Sequence, residues 1–415
     1  MPKQLRILYA VGPENVIESY NCWIEGENVS SQVSITYSSQ FYEACKKVNA
    51  KGYVIAQAVK KQIVREEQFT IEHRPVLFPN ARGIFYHLRQ ILLGLHLLIS
   101  AYRFQANVAI IDSGTTYWFI LALFRLLGIE VIPSLHCALW RKYGKQTLGE
   151  KIILKLSQNI FSRDSQAITV VSQEIAEQIS QLTKGHHPQV LVFLPSFSRA
   201  DFANITPPSE VRSPWRVLYV GRVEYDKGVF DLLEIAKRLA NEGRKDIVFD
   251  ICGNGSALET LRLAVQKSGV EANFFCHGYC HKSEMKAMFS HSHVVIVPTK
   301  SDFVEGFNRV IAESILSGRP VITSAVCPAI HYVKDGVFEV PPDDIRAYGN
   351  ALLTLCDNYQ LYEQKRLACL KLQEQFYDPN NSWCAALKLI FLAIQEEQQV
   401  KEFIASHNSN NSPST

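Results

Sequence analysis

Val217-Leu218-Tyr219-Val220-Gly221-Arg222-Val223-Glu224-Tyr225-Asp226-Lys227-Gly228 is the stretch on which the fold turns. An apolar run that stops at a glycine reads as a buried parallel strand, and a helical pattern follows Gly228. Downstream the same unit repeats. Strands are expected at Arg216–Val220, Val248–Cys252, Asn273–Cys276, Val294–Val297 and, closing the series, Pro320–Ser324. Helices are expected at Val229–Glu242, Ser256–Ser268, Ser283–Phe289 and Asn308–Ser317. Such alternation builds a parallel sheet covered on both faces.

Upstream the pattern recurs. Leu5–Val11, Tyr53–Ala58, Val76–Phe78, Val108–Asp112, Glu130–Pro133 and Ala167–Val171 read as strands. Gln40–Ala50, capped by Ser38 or Ser39, reads as a helix, as do Ile84–Phe104, Thr116–Leu127 and Gln173–Leu182, the last capped by Ser172. Ser196–Pro214, with three prolines, is the natural linker. The fold class is therefore α/β, with two Rossmann-like, doubly wound parallel-sheet domains facing a central cleft. Ligands of such sheets sit at the C-terminal ends of the strands. The expected divisions are 1–198, 215–375, a helical segment 376–405 packing back on the N-terminal domain, and a disordered tail 406–415.

Composition agrees with this reading. The chain has 415 residues, 47% of them hydrophobic and 20% charged, which suits two globular domains. A net charge of +3 is too small to make nucleic acid the main partner. Ten scattered Cys, several in apolar runs, read as free, buried thiols in a reducing cytosol. Met1–Leu8 enters a strand with no signal-peptide core before it. No run reaches the ~18 apolar residues of a spanning helix; His96 breaks Ile91–Ala101 and Arg125 breaks Trp118–Leu127. Contact with a membrane surface stays open, at the inner face of a membrane.

Two groups of residues carry chemistry. Arg222 and Lys227 stand at a strand-to-helix turn, where the positive end of a helix adds to them. Arg grips phosphate oxygens in pairs and Lys supplies a point charge, so the turn suits a diphosphate. The second group is Glu305-Gly306-Phe307-Asn308-Arg309-Val310-Ile311-Ala312-Glu313. Eight helical steps at ~1.5 Å each span about 12 Å, of the order of a sugar ring to a ribose across a diphosphate. Glu305 would then hold sugar hydroxyls and Glu313 a ribose, with the amides of Gly306, Phe307 and Asn308 facing phosphates. Alone, the first group is equally readable as solvated loop charge, and the second reads more readily as an N-terminal acidic residue and one solvated helix charge.

Together they resemble family 4 of the retaining glycosyltransferases, which have the GT-B fold. The resemblance is strong over Arg216–Pro342 and weak before it. It includes Cys252-Gly253-Asn254-Gly255, Phe274–Tyr279, Pro298-Thr299, the Glu-x7-Glu motif, Ser317–Ile322 and Lys334-Asp335-Gly336. It implies that 215–375 binds a nucleotide-diphosphate sugar and 1–198 an acceptor, a saccharide or a lipid-linked one. It implies that Arg222 and Lys227 bind the diphosphate, Glu313 the ribose, that Glu305 lies by the transferred hexose, and that Gly278 and Tyr279 border the base. His136, in Ile132-Pro133-Ser134-Leu135-His136, looks like the family's histidine facing the sugar across the cleft. The implied reaction keeps the anomeric configuration by front-face attack and needs no cofactor or metal.

Three departures stand out. Only Gly12 remains of a Gly-rich loop after the first strand. Cys327–His331 replaces a stretch that often carries a carboxylate, and Asn308 replaces a frequent Gly. Two decoys compete: Cys276, His277, Cys280 and His281 imitate a zinc cluster, and Gly253-Asn254-Gly255 imitates a dinucleotide fingerprint but has Leu258 in the third glycine's place. Arg141, Lys142, Lys145, Lys151 and Lys155, interleaved with apolar residues, fit an anionic lipid surface or an ordinary solvated helix face. A GT-B epimerase or phosphorylase, or an inactive sugar-nucleotide-binding subunit, are the alternative functions.

Overall fold

The computed structural model describes residues 4–206 and 214–410, without the side chains of 407–410. The N-terminal sheet contains β1 (Arg6–Val11), β2 (Lys51–Ala58), β3 (Gln62–Arg65), β4 (Phe69–Pro75), β5 (Val108–Asp112), β6 (Glu130–Leu135), β7 (Ala167–Val170) and β8 (Gln189–Val192), in the order β3-β4-β2-β1-β5-β6-β7-β8. All neighbours are parallel except β3 and β4, which are antiparallel, so this sheet is not wholly parallel. The C-terminal sheet contains β9 (Trp215–Val220), β10 (Ile247–Cys252), β11 (Phe274–Gly278), β12 (Val294–Val297), β13 (Val321–Ser324) and β14 (Val337–Val340), in the doubly wound order β11-β10-β9-β12-β13-β14. Strands β5 and β12 are buried along their whole length, which is why they read as unbroken apolar runs.

The register builds the site. Asp112 at the end of β5 pairs with Ser134 of β6. His136, two residues further on, therefore falls beside the Asp112 carboxylate. Behind it the helix Trp383–Gln395 crosses from the C-terminal domain onto the N-terminal one. Its Trp383 is fully buried, donates from Nε1 to Thr169 Oγ1 at 3.1 Å, and stands 5.3 Å from the Tyr9 ring and 6.0 Å from the His136 ring. Gln395 Nε2 donates to the Val48 carbonyl at 3.0 Å.

Several local expectations fail, each for a physical reason. Val76–Phe78 is not a strand. The strand is Phe69–Pro75, whose polar residues disguise it, held by β2 in the register Gly52↔Phe69. The helix expected at Gln40–Ala50 is Tyr37–Lys47, capped by Thr36 Oγ1, which accepts from Ser39 N at 3.2 Å, while Ser38 is taken by Glu14. Ser172 makes no side-chain capping bond. Thr116–Leu127 is a 3-10 turn, Trp118–Leu121, followed by the short helix Ala122–Leu126. β14 lies beyond the strand expected to close the series. The linker stretch contains a one-turn helix, Arg199–Phe202, and its residues 207–213 lie outside those described. A helix, Val400–Asn410, runs into the tail expected to be disordered; 411–415 lie outside the described residues. All ten Cys are free, but Cys137 is exposed and Cys22, Cys276, Cys280 and Cys356 are only half-buried. Finally, Ile84–Phe104 is long and apolar enough to span a bilayer by length and composition, yet it lies on the sheet with Leu93, Leu97 and Ala101 buried.

Replacing Trp383 by Ala removes the largest of the fully buried side chains and the link behind His136. We expect a loss of about 3–5 kcal/mol in the unfolding of the N-terminal domain, read from urea denaturation. A loss below about 1 kcal/mol would show that this helix does not share the N-terminal core.

Candidate active site

β9 ends at Val220, and a 3-10 turn, Tyr225–Lys227, leads into the helix Val229–Asn241. Gly228 between them has φ 74°, and a Cβ there would stand 2.1 Å from the Pro298 carbonyl oxygen. Glycine thus lets the loops after β9 and β12 come into contact. The contact delivers Lys227 to Glu305: Nζ and Oε2 are 2.8 Å apart, with each side chain only 13% exposed. Lys227 Nζ also lies 3.5 Å from the centre of the Phe303 ring, and the Arg222 guanidinium 5.7 Å from the same ring. A pair this far from water is strongly coupled, because removing either partner strands the other charge.

Glu305 is in a loop. The helix that follows starts at Arg309, so the expected eight helical steps to Glu313 are only partly helical. Asn308 occupies the left-handed region at φ 73°, which explains how Asn stands where Gly is frequent: Asn tolerates that region best after Gly. Its Nδ2 donates to Glu305 Oε2 at 3.1 Å. Phe307 is buried against Tyr332 and Phe376, so only its backbone is free to meet an anion. The Arg309–Leu316 helix has no side-chain cap; of its first-turn amides, that of Ile311 donates to the Asn308 carbonyl at 3.2 Å.

Glu313 faces a different space from Glu305. It lines a cavity of about 390 Å³ with Arg222, Asn254, Tyr279 and Arg309, and the opposite wall is Ser31, Gln32, Val33 and Ser34 of the N-terminal domain. No side-chain hydrogen bond among the described residues reaches the Glu313 carboxyl, and burial raises its pKa, partly offset by Arg309. Gly278, at φ 76°, accepts from the Gly253 amide at 2.7 Å and so ties the ends of β10 and β11 at this cavity. Arg309 closes it by donating to Ser34 Oγ at 2.8 Å across the cleft.

On the N-terminal side, His136 Nε2 lies 3.0 Å from Ser134 Oγ and 3.2 Å from Asp112 Oδ1. Asp112 Oδ2 accepts from the Tyr9 hydroxyl at 2.7 Å. The His136 ring stands 4.2 Å from that of Tyr37. Its Nδ1 is buried with no partner among the described residues. The His136 carbonyl oxygen meets Gly306: a Cβ on residue 306 would lie 1.9 Å from it. Glycine alone permits this approach, and through it the Glu305 loop reaches the N-terminal domain.

Of the residues singled out from sequence, Arg222, Glu313 and Tyr279 share the cavity, while Lys227, Glu305, Asn308, Gly306 and His136 form a second cluster. Gly12 does not line the cavity; its carbonyl accepts from Gln57 at 3.3 Å. Sequence reading passed over Glu14, Tyr37 and Phe303. Glu14 is held by Ser38, and burial, with Asp112 nearby, raises its pKa. Only its place after the first strand could have signalled it. Among the described residues no three His, Cys, Asp or Glu are grouped as metal ligands, and His277 of the zinc-like run bonds Asp250 at 2.8 Å.

Residues 203–368 match the family model of glycosyl transferases group 1. The chain is 24% identical over 265 residues to alpha-D-kanosaminyltransferase of Streptomyces kanamyceticus, covering 61% of this chain and 68% of that one. It is 22% identical over 258 residues to the 2-deoxystreptamine glucosyltransferase of the same organism, covering 58% and 65%. In three dimensions it is similar to a trehalose-6-phosphate protein from E. coli bound with UDP-2-fluoro glucose, at a TM-score of 0.69, 12% identity and coverage of 94% and 99%. Anabaena HepE in complex with UDP and glucose gives a TM-score of 0.63 at 15% identity, covering 95% and 100%. Together the two sheets, the match over residues 203–368 and these relatives support a glycosyltransferase with the GT-B fold.

Proposed function

We propose that the protein is a retaining glycosyltransferase of family 4, moving a hexose-type sugar from a nucleoside diphosphate sugar to a saccharide or lipid-linked acceptor. The observation that carries this reading is the convergence at the cleft. Arg222 and Glu313 line one cavity, Lys227 and Glu305 pair beside it, and Gly306 sets their loop against His136. The nucleoside occupies the cavity of about 390 Å³, with its base by Gly278 and Tyr279 and its ribose hydroxyls donating to Glu313. Arg222, Lys227 and the amides of 306–308 hold the diphosphate.

In the unliganded protein Lys227 and Glu305 satisfy each other. A donor offers each a better partner: the phosphate takes Lys227, and the freed Glu305 carboxylate accepts from sugar hydroxyls. His136 packs against the sugar from the other domain. The acceptor hydroxyl attacks the anomeric carbon on the face the phosphate leaves, and the departing phosphate oxygen accepts its proton. Arg222 and Lys227 stabilise the charge that grows on the diphosphate. A covalent route would need a free carboxylate beside the anomeric carbon. Asp112, beside His136, has both oxygens engaged by His136 and Tyr9, and Glu305 is taken up by sugar hydroxyls, so the route we propose is front-face attack. Product analysis by NMR, with UDP-, GDP- and ADP-sugars as donors, tests the reading: it requires nucleoside diphosphate release and a glycoside of unchanged anomeric configuration.

The two carboxylates divide the work. Glu305→Gln is expected to depress single-turnover rate without weakening nucleoside diphosphate affinity, because it leaves Lys227 free of its carboxylate partner. Glu313→Gln is expected to weaken that affinity by ~1.5–3 kcal/mol. Because burial raises the Glu313 pKa, its ionised form works against the fold. The stability it contributes is present where it is protonated and is lost as pH rises through the raised pKa. Glu313→Gln should therefore raise the melting temperature of the ligand-free protein at neutral pH while it loses nucleotide. The reverse pattern, nucleotide lost at 305 and rate alone at 313, would turn the donor round in the cleft.

Side-chain cations and a helix start neutralise the diphosphate in this mechanism. Transfer is expected to proceed at an unchanged rate in excess EDTA. Abolition by EDTA and recovery with magnesium or manganese would contradict it.

A further inference from the structure

The outer face of the N-terminal domain carries apolar side chains that nothing in the fold covers. The Ile84–Phe104 helix has its first turns in the open: Ile84 is 78% exposed, Phe85 68% and Leu88 48%. Burial begins only at Gln90. In the Leu148–Ser162 helix, Leu148, Ile152 and Leu156 are 79%, 60% and 57% exposed. Their spacing of four puts them on one stripe of the helix, the stripe a soluble protein ordinarily leaves polar.

These two helices belong to one layer. Both connect strands in the same direction across the sheet, β4 to β5 and β6 to β7, so right-handed crossovers place them on the same face. The Trp118–Leu121 turn lies between them and contacts both. Each helix begins after a parallel strand, at the edge of the sheet where the cleft opens. The apolar turns therefore crowd toward the acceptor side of the cleft, near His136.

Charge follows the same layer. Between Glu72 and Asp164 the chain has eleven Lys and Arg against five Asp and Glu, although the whole chain carries only +3. Glu72 pairs with Arg74, and Asp164 with Arg125 and Arg163. Of the other acids, Asp112 is buried in β5 and Glu150 is engaged in the capping box of the second helix. Lys145, Lys151 and Lys155 are exposed beside the apolar stripe, and Arg82 is exposed just before the first helix. Exposed apolar residues flanked by unopposed lysines match an interface between hydrocarbon and anionic headgroups, whereas a nucleic acid would have no use for the apolar stripe.

We propose that this layer docks the protein on an anionic lipid bilayer. The Ile84–Leu88 turns and the Leu148, Ile152 and Leu156 stripe enter the interfacial zone, and Lys145, Lys151 and Lys155 lie at headgroup level. The cleft then opens alongside the bilayer surface. This docking does not rest on the transfer reaction.

Flotation of the full chain with phosphatidylcholine vesicles, with and without phosphatidylglycerol, tests it. Binding is expected to be at least about tenfold stronger to the anionic vesicles and to fall as salt rises. The double substitutions Lys151→Glu with Lys155→Glu, and Ile152→Ser with Leu156→Ser, are each expected to weaken binding by about tenfold or more. Both variants should keep the melting temperature of the parent, since all four side chains are exposed. Glu313→Gln should bind vesicles like the parent, which separates this proposal from the donor site. No flotation, equal binding to both vesicle types, or a dimer in sedimentation velocity that the Ile152→Ser, Leu156→Ser variant dissolves while flotation stays absent would overturn the proposal.

Discussion

Everything at the cleft depends on the backbone contact between Gly306 and the His136 carbonyl. Any side chain at 306 would place a Cβ 1.9 Å from that oxygen and hold the two domains apart. Because residue 306 is glycine, the loop after β12 reaches the N-terminal domain. With it comes Glu305, tied to Lys227 and Asn308. On the other side His136 is held from behind by Tyr37 and Trp383 and from beside by Asp112 and Ser134. A single close approach thus sets two groups from different domains in register. Arg309 and Ser34 repeat the connection at the cavity lined by Glu313.

The Lys227–Glu305 pair gives this geometry its electrostatic logic. A charge removed from water is costly unless paired, and here two opposite charges meet with 13% exposure each. The pairing avoids two unsatisfied buried ions. Among the described residues Glu313 has no such hydrogen-bonded partner, and burial raises its pKa, partly offset by Arg309. One carboxylate is thus paired and the other is buried without a pair. That difference, and not their spacing along the chain, is what distinguishes them.

The C-terminal sheet was legible almost residue by residue. Buried parallel strands such as Val294–Val297 are unbroken apolar runs bounded by turns, and one sequence suffices to find them. The N-terminal sheet was less so. β4 has Thr70, Glu72, His73 and Arg74 in its middle, and its Glu72–Arg74 pair is completed by Tyr53 of the neighbouring strand and by Ser100 of the Ile84–Phe104 helix. Such a strand is written in its partner as much as in itself. For the candidate site, motif spacing singled out Arg222, Lys227, Glu305, Glu313 and His136, which lie in segments that follow strand ends and which the structure brings to the cleft. Glu14, Tyr37 and Phe303 escaped, since their importance comes from contacts between segments distant in sequence. The basic and apolar residues of 141–155 were legible as either a lipid-facing surface or a solvated helix face; periodicity shows that a helix has an apolar side, and only packing shows which side stays open.

The most direct measurement is a crystal structure with a nucleoside diphosphate bound, UDP first because structural neighbours hold it. The account predicts the nucleoside in the cavity between Arg222 and Ser34, the ribose on Glu313, and Lys227 turned from Glu305 to a phosphate oxygen. A nucleotide bound elsewhere, or a diphosphate in the cleft with the Lys227–Glu305 pair still closed at 2.8 Å, would contradict it.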